Sequence, residues 1–363
     1  MSIKFKYLIL ATAAVLAACG GGGGSGSTTP TQALYGIAYD STNSRLFVSD
    51  NSLNLIQSVN TSTGALTTVA GGTVTTAQFS NPGFMFAQAS GSNTNLFVAD
   101  IGNDVIREVA SADATPTITT YAGVLATYGF ANGNIDSGSA PYGTFYYPNA
   151  IAVDSNGNYF VADTGNSAIR EITGGAVSTI ADSSAGFGSP AGIAIDANNV
   201  MYVTDAYYSV VKAVFYGTAH APTVCAAAAS ANVWNVCTLS GTSGTSGYSN
   251  NTSNNSSTKL YRPQGIATDG TYVYVADSSN NAIRQITIAT GATATLSGSA
   301  TGVSGKADDS SSDNGSSARF SFPTGLVYDS HRYLYVVDQN GTSIRKVDTG
   351  NNGGTVGVTS TIH

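Results

Sequence analysis

The chain has 363 residues, 42% of them hydrophobic and only 10% charged, with 14 Lys and Arg against 21 Asp and Glu for a formal net charge of −7. An acidic chain of this kind repels nucleic acid, so a nucleic-acid-binding role is disfavoured. Its low charge content, with abundant Ser, Thr, Asn and Gly, suits an extracytoplasmic β-protein.

The N-terminus carries Lys4 and Lys6 ahead of an apolar stretch, Tyr7–Leu16, that is too short to span a bilayer. Residues 1–18 therefore read as an export signal. Leu16-Ala17-Ala18-Cys19 resembles a bacterial lipobox. That resemblance makes Cys19 the first mature residue and the site of lipidation, with a plain signal peptide as the rival reading. Gly20 after the lipidated Cys, by the same resemblance, favours the outer membrane. Residues 19–33 form a Gly/Ser/Thr tether that reaches roughly 20 Å by random-coil scaling. Loss of residues 1–18 removes two lysines, leaving 12 basic and 21 acidic residues and a charge of −9.

From residue 34 the chain repeats. An apolar run of the form P-x-G-I-A-x-D starts at Leu34, Pro82, Pro148, Pro190, Pro263 and Pro323. Each is followed by a second motif, VADxxNxxIR, seen as FVADIGNDVIREV from Phe97, FVADTGNSAIREI from Phe160 and YVADSSNNAIRQI from Tyr274, with weaker copies from Phe47, Tyr202 and Tyr335. A Thr/Val-rich run closes each unit. Four short apolar runs bounded by turn residues predict four strands per unit, here called a to d. Six such units over 34–363 predict one six-bladed β-propeller of four-stranded antiparallel blades. The last blade is expected to keep its own d strand, Val358–Ile362, and strand a is expected innermost.

The P-x-G-I-A-x-D strand, the VADxxNxxIR hairpin and the Thr-Val-Ala-Gly unit end together resemble the NHL-repeat family. This resemblance implies the propeller fold and leaves the function open, because the architecture carries enzymes, receptors and scaffolds.

Asp recurs at the end of strand b (Asp50, Asp100, Asp163, Asp205, Asp277, Asp338). A cation follows seven residues later at Arg107, Arg170, Lys212, Arg284 and Arg345, with Gln57 in the first unit. A feature present in every blade points to a hairpin clamp rather than a ring of cation ligands. With Cys19 assigned to lipid, Cys225 and Cys237 remain, both between strands c and d of the fourth unit. Export permits a disulfide between them, and two free thiols are the alternative.

Signals for catalysis are sparse. The chain has three histidines (His220, His331, His363) and two glutamates (Glu108, Glu171), none placed to build the axial metal sites of lyase- or lactonase-type propellers. No phosphate-binding loop or nucleophile elbow is present, and no cofactor or metal is expected. An envelope lyase or hydrolase with an unrecognised axial site is the alternative reading. The favoured reading is a monomeric binding or scaffold propeller that meets the membrane only through its lipid and recognises a protein or glycan. Long d–a connections and several tyrosines gather on the d–a/b–c face, where recognition is expected. A central pocket there would be lined by Asn149, Ala191, Gln264 and Thr324, with Tyr147, Tyr207, Tyr208 and Arg262 on the rim.

Overall fold

The structure is a computed structural model that describes residues 32–72, 79–113, 115–135, 140–255, 257–299, 301–309, 315–340, 342–351 and 356–363. The export signal, Cys19 and most of the tether lie outside the described residues.

Six separate antiparallel sheets follow one another along the chain, each with its strands in sequence order. The a strands are Leu34–Asp40, Pro82–Ser90, Pro148–Val153, Pro190–Ile195, Pro263–Thr268 and Pro323–Tyr328. Each pairs only with strand b of its own blade, and successive a strands pack against one another around the ring, the first against the last. They are therefore innermost, and one edge of each faces the axis. The outer strands are Leu66–Gly71, Thr117–Ala122, Ala176–Ala181, Trp234–Ser240, Thr293–Gly298 and Thr359–Thr361. The last blade thus keeps its own d strand. Blade 3 gains an unforeseen fifth strand, Gly133–Asn134, contributed by the loop that precedes it.

The P-x-G start has a physical reason. In every blade the a–b pairing shifts register just after this first residue, a bulge that bends the strand toward the axis. Glycine at the third position lets inner strands touch. A Cβ on Gly192 would lie 2.6 Å from the Gln264 carbonyl oxygen, and one on Gly325 would lie 2.6 Å from that of Tyr35. Hydroxyls reinforce the same contacts across blades: Thr204 Oγ1 donates to Gln264 O (2.5 Å), Ser278 Oγ to Pro323 O (2.6 Å) and Thr324 Oγ1 to Tyr35 O (2.9 Å).

The apolar core lies between blades. Phe79, Phe145, Phe187, Leu260 and Phe320 are buried, each in a cluster shared by neighbouring sheets. The seam between blades 6 and 1 is sealed by Leu34, Ile37, Val48, Tyr335, Val337 and Ile344. Among the described residues no strand crosses it. His363 Nδ1 sits 2.8 Å from the Gly64 carbonyl and adds a polar contact there.

Candidate functional site

The strand-b aspartates organise the d–a/b–c end. In all six blades the buried carboxylate accepts from the backbone just before strand a of the same blade, at Ala33, Ser80, Tyr146, Gly188 and Ser189, Tyr261, and Ser321. Asn103, Asn166 and Asn280 each donate to Asp Oδ2 at 2.8 Å. Arg170 pairs with Asp163 at 2.8 Å and Arg284 with Asp277 at 2.6 Å, all four side chains being fully buried. Arg345 stands 3.5 Å from Asp338, and Arg107 stands 3.9 Å from Asp100.

The arginines do more than clamp their own hairpin. Each of three reaches back into the long loop that precedes its blade. Arg170 donates to Ala131 O, Thr144 O and Asn132 Oδ1; Arg284 to Ser249 O, Lys259 O and Asn250 Oδ1; Arg345 to Ala307 O, Arg319 O and Asp308 Oδ1. Aromatic rings cover the guanidinium groups, Phe130 and Phe145 on Arg170, Tyr248 on Arg284 and Phe320 on Arg345. Burial pushes the carboxyls of Asp100, Asp163 and Asp338 up to about 6, against the lowering effect of their hydrogen bonds and arginines. Burial also raises Asp277 and lowers Lys212, the cation of blade 4, which lies 5.4 Å over the Phe187 ring.

On the pinned loops, and on the b–c turn of blade 4, sits an aromatic surface. Tyr128 is 71% exposed, Tyr207 57% and Tyr147 38%, with Tyr261, Phe130 and Leu125 also exposed. Tyr128, Tyr146 and Tyr147 form a ladder with ring centroids 5.4 and 4.5 Å apart, and Tyr207 meets Tyr208 edge-on at 4.9 Å. Tyr147 and Arg262 each precede a proline with left-handed backbone (φ 50° for both), a conformation L-residues hold only when fixed by neighbours. Asp104 Oδ1 fixes the first by accepting from Tyr147 N at 2.8 Å, and Ser209 Oγ accepts from Arg262 N at 3.4 Å. Each holder lies in the b–c turn of the preceding blade.

Asn149 and Gln264 do come together, but not around an open pocket. The Tyr35 hydroxyl crosses the axis from blade 1 and donates at 3.2 Å toward both Asn149 Oδ1 in blade 3 and Gln264 Oε1 in blade 5. Its ring stacks on Phe84 of blade 2 at 4.9 Å and 8°. Burial raises the Tyr35 pKa, and Arg262 lies close enough to oppose that electrostatically. The pair plugs the channel at the end where the sequence predicts a pocket. Only a departure from the repeat signalled this: Phe84 stands where four other blades carry Gly.

The central cavity instead opens at the a–b/c–d end. Its volume is about 430 Å³, its deepest residues include Phe84, Gly192 and Gly265, and its mouth includes Ser41, Thr42, Gln88, Ala89 and Ser330. The insertion of blade 4 also lies at this end, tied down by a Cys225–Cys237 disulfide with Cα atoms 5.7 Å apart. Among the described residues no three of His, Cys, Asp and Glu are grouped so as to hold a metal ion.

No curated protein matches the sequence. The fold is similar to solved structures of an auxiliary nutrient binding protein from Bacteroides thetaiotaomicron (14% identity, TM-score 0.63, covering 87% of this chain and 69% of that one) and another from Bacteroides ovatus (13%, 0.62, 87% and 69%). It is also similar to a catalytically inactive virginiamycin B lyase from Staphylococcus aureus with quinupristin (13%, 0.51, 92% and 85%). At these identities the likeness speaks for the fold. The NHL repeat model matches residues 145–172, which run through strands a to c of blade 3. With the same strand pattern, Asp-to-backbone tie and inner-strand bulge in all six blades of one ring, the chain is a six-bladed β-propeller, and its third blade matches the NHL repeat.

Proposed function

We propose that the protein is an envelope binding module, anchored through a lipid on Cys19 and facing a glycan with its aromatic end. The observation that carries this reading is the set of exposed tyrosines at this end, with Tyr128, Tyr147 and Tyr261 on loops that buried Arg170 and Arg284 hold. Aromatic area on a preorganised surface binds with little entropy loss, and the surrounding loops add Asn, Ser, Thr and Gly beside the exposed charges of Lys259, Arg262, Lys306 and Asp308. The auxiliary nutrient binding function named for two structural neighbours is consistent with it. Strand a of blade 1 starts at this same end, so a tether running from Cys19 would hold the tyrosines near the membrane and its glycans. For the alternative of a lyase or hydrolase, the described residues offer no group of three His, Cys, Asp or Glu that could hold a metal ion.

The test is a pull-down on purified peptidoglycan and on the polysaccharide of lipopolysaccharide. Replacing Tyr147, Tyr207, Tyr208 and Arg262 together by Ala is expected to abolish retention while leaving Tm nearly unchanged. Retention by the quadruple variant would refute the reading, and capture of a protein alone would convert the partner to protein. Cys19→Ser is expected to move the protein from the membrane to the soluble fraction.

A further inference from the structure

We propose that the axial cavity at the opposite end is a second binding site, made for a small uncharged saccharide or polyol. Its walls are the free edges of six a strands, since each pairs on one side only. A sheet edge presents backbone N–H and C=O groups in alternation. The cavity is therefore lined with donors and acceptors of both kinds, aimed inward from six directions. A hydroxyl can both donate and accept, so a polyol satisfies such a wall in many orientations. Volume fits as well, at about 430 Å³, within the range of small-ligand sites.

Charge points the same way. No Lys, Arg, His or Glu lines the cavity, and the one carboxylate is Asp40. Its oxygens are already occupied: Oδ1 accepts from Thr42 N and Asn43 N, and Oδ2 from Asn43 Nδ2 and Thr94 Oγ1. An ionic ligand would lose its hydration here and gain no counter-charge. The tyrosines of the lining are turned aside, Tyr39 stacked on Tyr335 and Tyr328 on Tyr274.

The third argument is where the repeat breaks. What all six blades share serves the ring, so departures are where individual function shows. In blade 2, Phe84 replaces Gly at the floor of the cavity, and Gln88 replaces Asp at its mouth. The a strand of that blade also runs on to Ser90, which brings the exposed Gln88 and Ala89 to the rim. In blade 1, Tyr35 backs the floor. These departures together close one end of the axis and shape the other into a cup.

The experiment is calorimetric titration of the mature protein with D-glucose, trehalose, D-gluconate and D-glucosamine. At least one neutral sugar is expected to bind saturably at one site per chain, with both charged analogues weaker by about tenfold or more. Ser41→Trp with Ala89→Trp, both at exposed positions of the mouth, is expected to lose that binding. Should this doublet fail to fold by circular dichroism, Gln88→Asp serves instead, with a loss of about tenfold from the added charge. The quadruple variant at the aromatic end is expected to bind the sugar as the unmodified protein does. The proposal is overturned if neither neutral sugar binds, if the charged analogues bind equally well, or if the mouth variants bind normally. Loss of sugar binding only in the aromatic-end variant would also overturn it and assign the sugar to that face.

Discussion

The two ends of the propeller use aspartate in opposite ways. At the d–a/b–c end the carboxylate is buried, held by backbone N–H groups, and in blades 3, 5 and 6 backed by an arginine that also grips the preceding loop. At the a–b end Asp154, Asp196, Asp269 and Asp329 each close their own turn by accepting from two or three N–H groups a few residues on. The arginine grip reaches 25 to 39 residues upstream, whereas these turn-closing N–H bonds span four at most. Loop length follows the reach. The three blades with a full arginine grip carry the long connections, whereas blade 4, with Lys212, is preceded by a short one capped locally through Asp182 and Ser184. A rigid anchor allows a long loop to be ordered; a turn that closes on itself supports only a short one.

Breaking the grip should have the largest effect. Arg284→Ala leaves the buried carboxylate of Asp277 and three loop acceptors without their partner, and is expected to cost about 3–5 kcal/mol, read by urea denaturation. A loss below that of Asp154→Ala would end the claim that the two ends differ in kind. The disulfide is next. It is the one covalent cross-link among the described residues, so replacing Cys225 and Cys237 by Ser is expected to cost about 2–4 kcal/mol in the chain-entropy description, measured as a lowered Tm that added reductant reproduces in the unmodified protein. Asp154→Ala removes only a local turn closure and is expected to cost about 1 kcal/mol, by the same denaturation measurement.

The smallest effect sharpens the comparison by its sign. Asp100, Asp163 and Asp338 are raised to about 6 in the fold, above the ordinary carboxyl value of about 3.9. The folded state then holds more protons than the unfolded one between those values. Their contribution is fully present below the lower value and is lost as pH rises through the upper one. Calorimetry at constant ionic strength is expected to show Tm holding or rising slightly from pH 7 to pH 5. A clear fall over that interval would show that the clamps depend on ionised carboxylates alone.

Much of this was legible in the residues. Six copies of one pattern fix the blade number, the strand count and the innermost strand, and the seven-residue spacing from Asp to Arg places both on one hairpin. The loop grip was not legible, because its acceptors are mainly carbonyls 25 to 39 residues upstream, and a carbonyl belongs to every residue type. The closed axis was missed for a different reason. Aligning repeats favours what they share, and Tyr35 and Phe84 matter because they differ. Asn149 and Gln264 were correctly placed at the strand starts, yet a neighbour two blades away decided whether they would face space.

The seam between the last blade and the first has a mechanical consequence. Every blade is one unbroken stretch of chain, so among the described residues no strand laces the ring shut. Tension between the two chain ends would fall first on the contacts of Leu34, Ile37, Tyr335 and Val337 and on the bonds from Thr324 to Tyr35 and from His363 to Gly64. The ring would open there like a bracelet at its clasp, leaving the other five seams between blades intact, rather than unravelling from within.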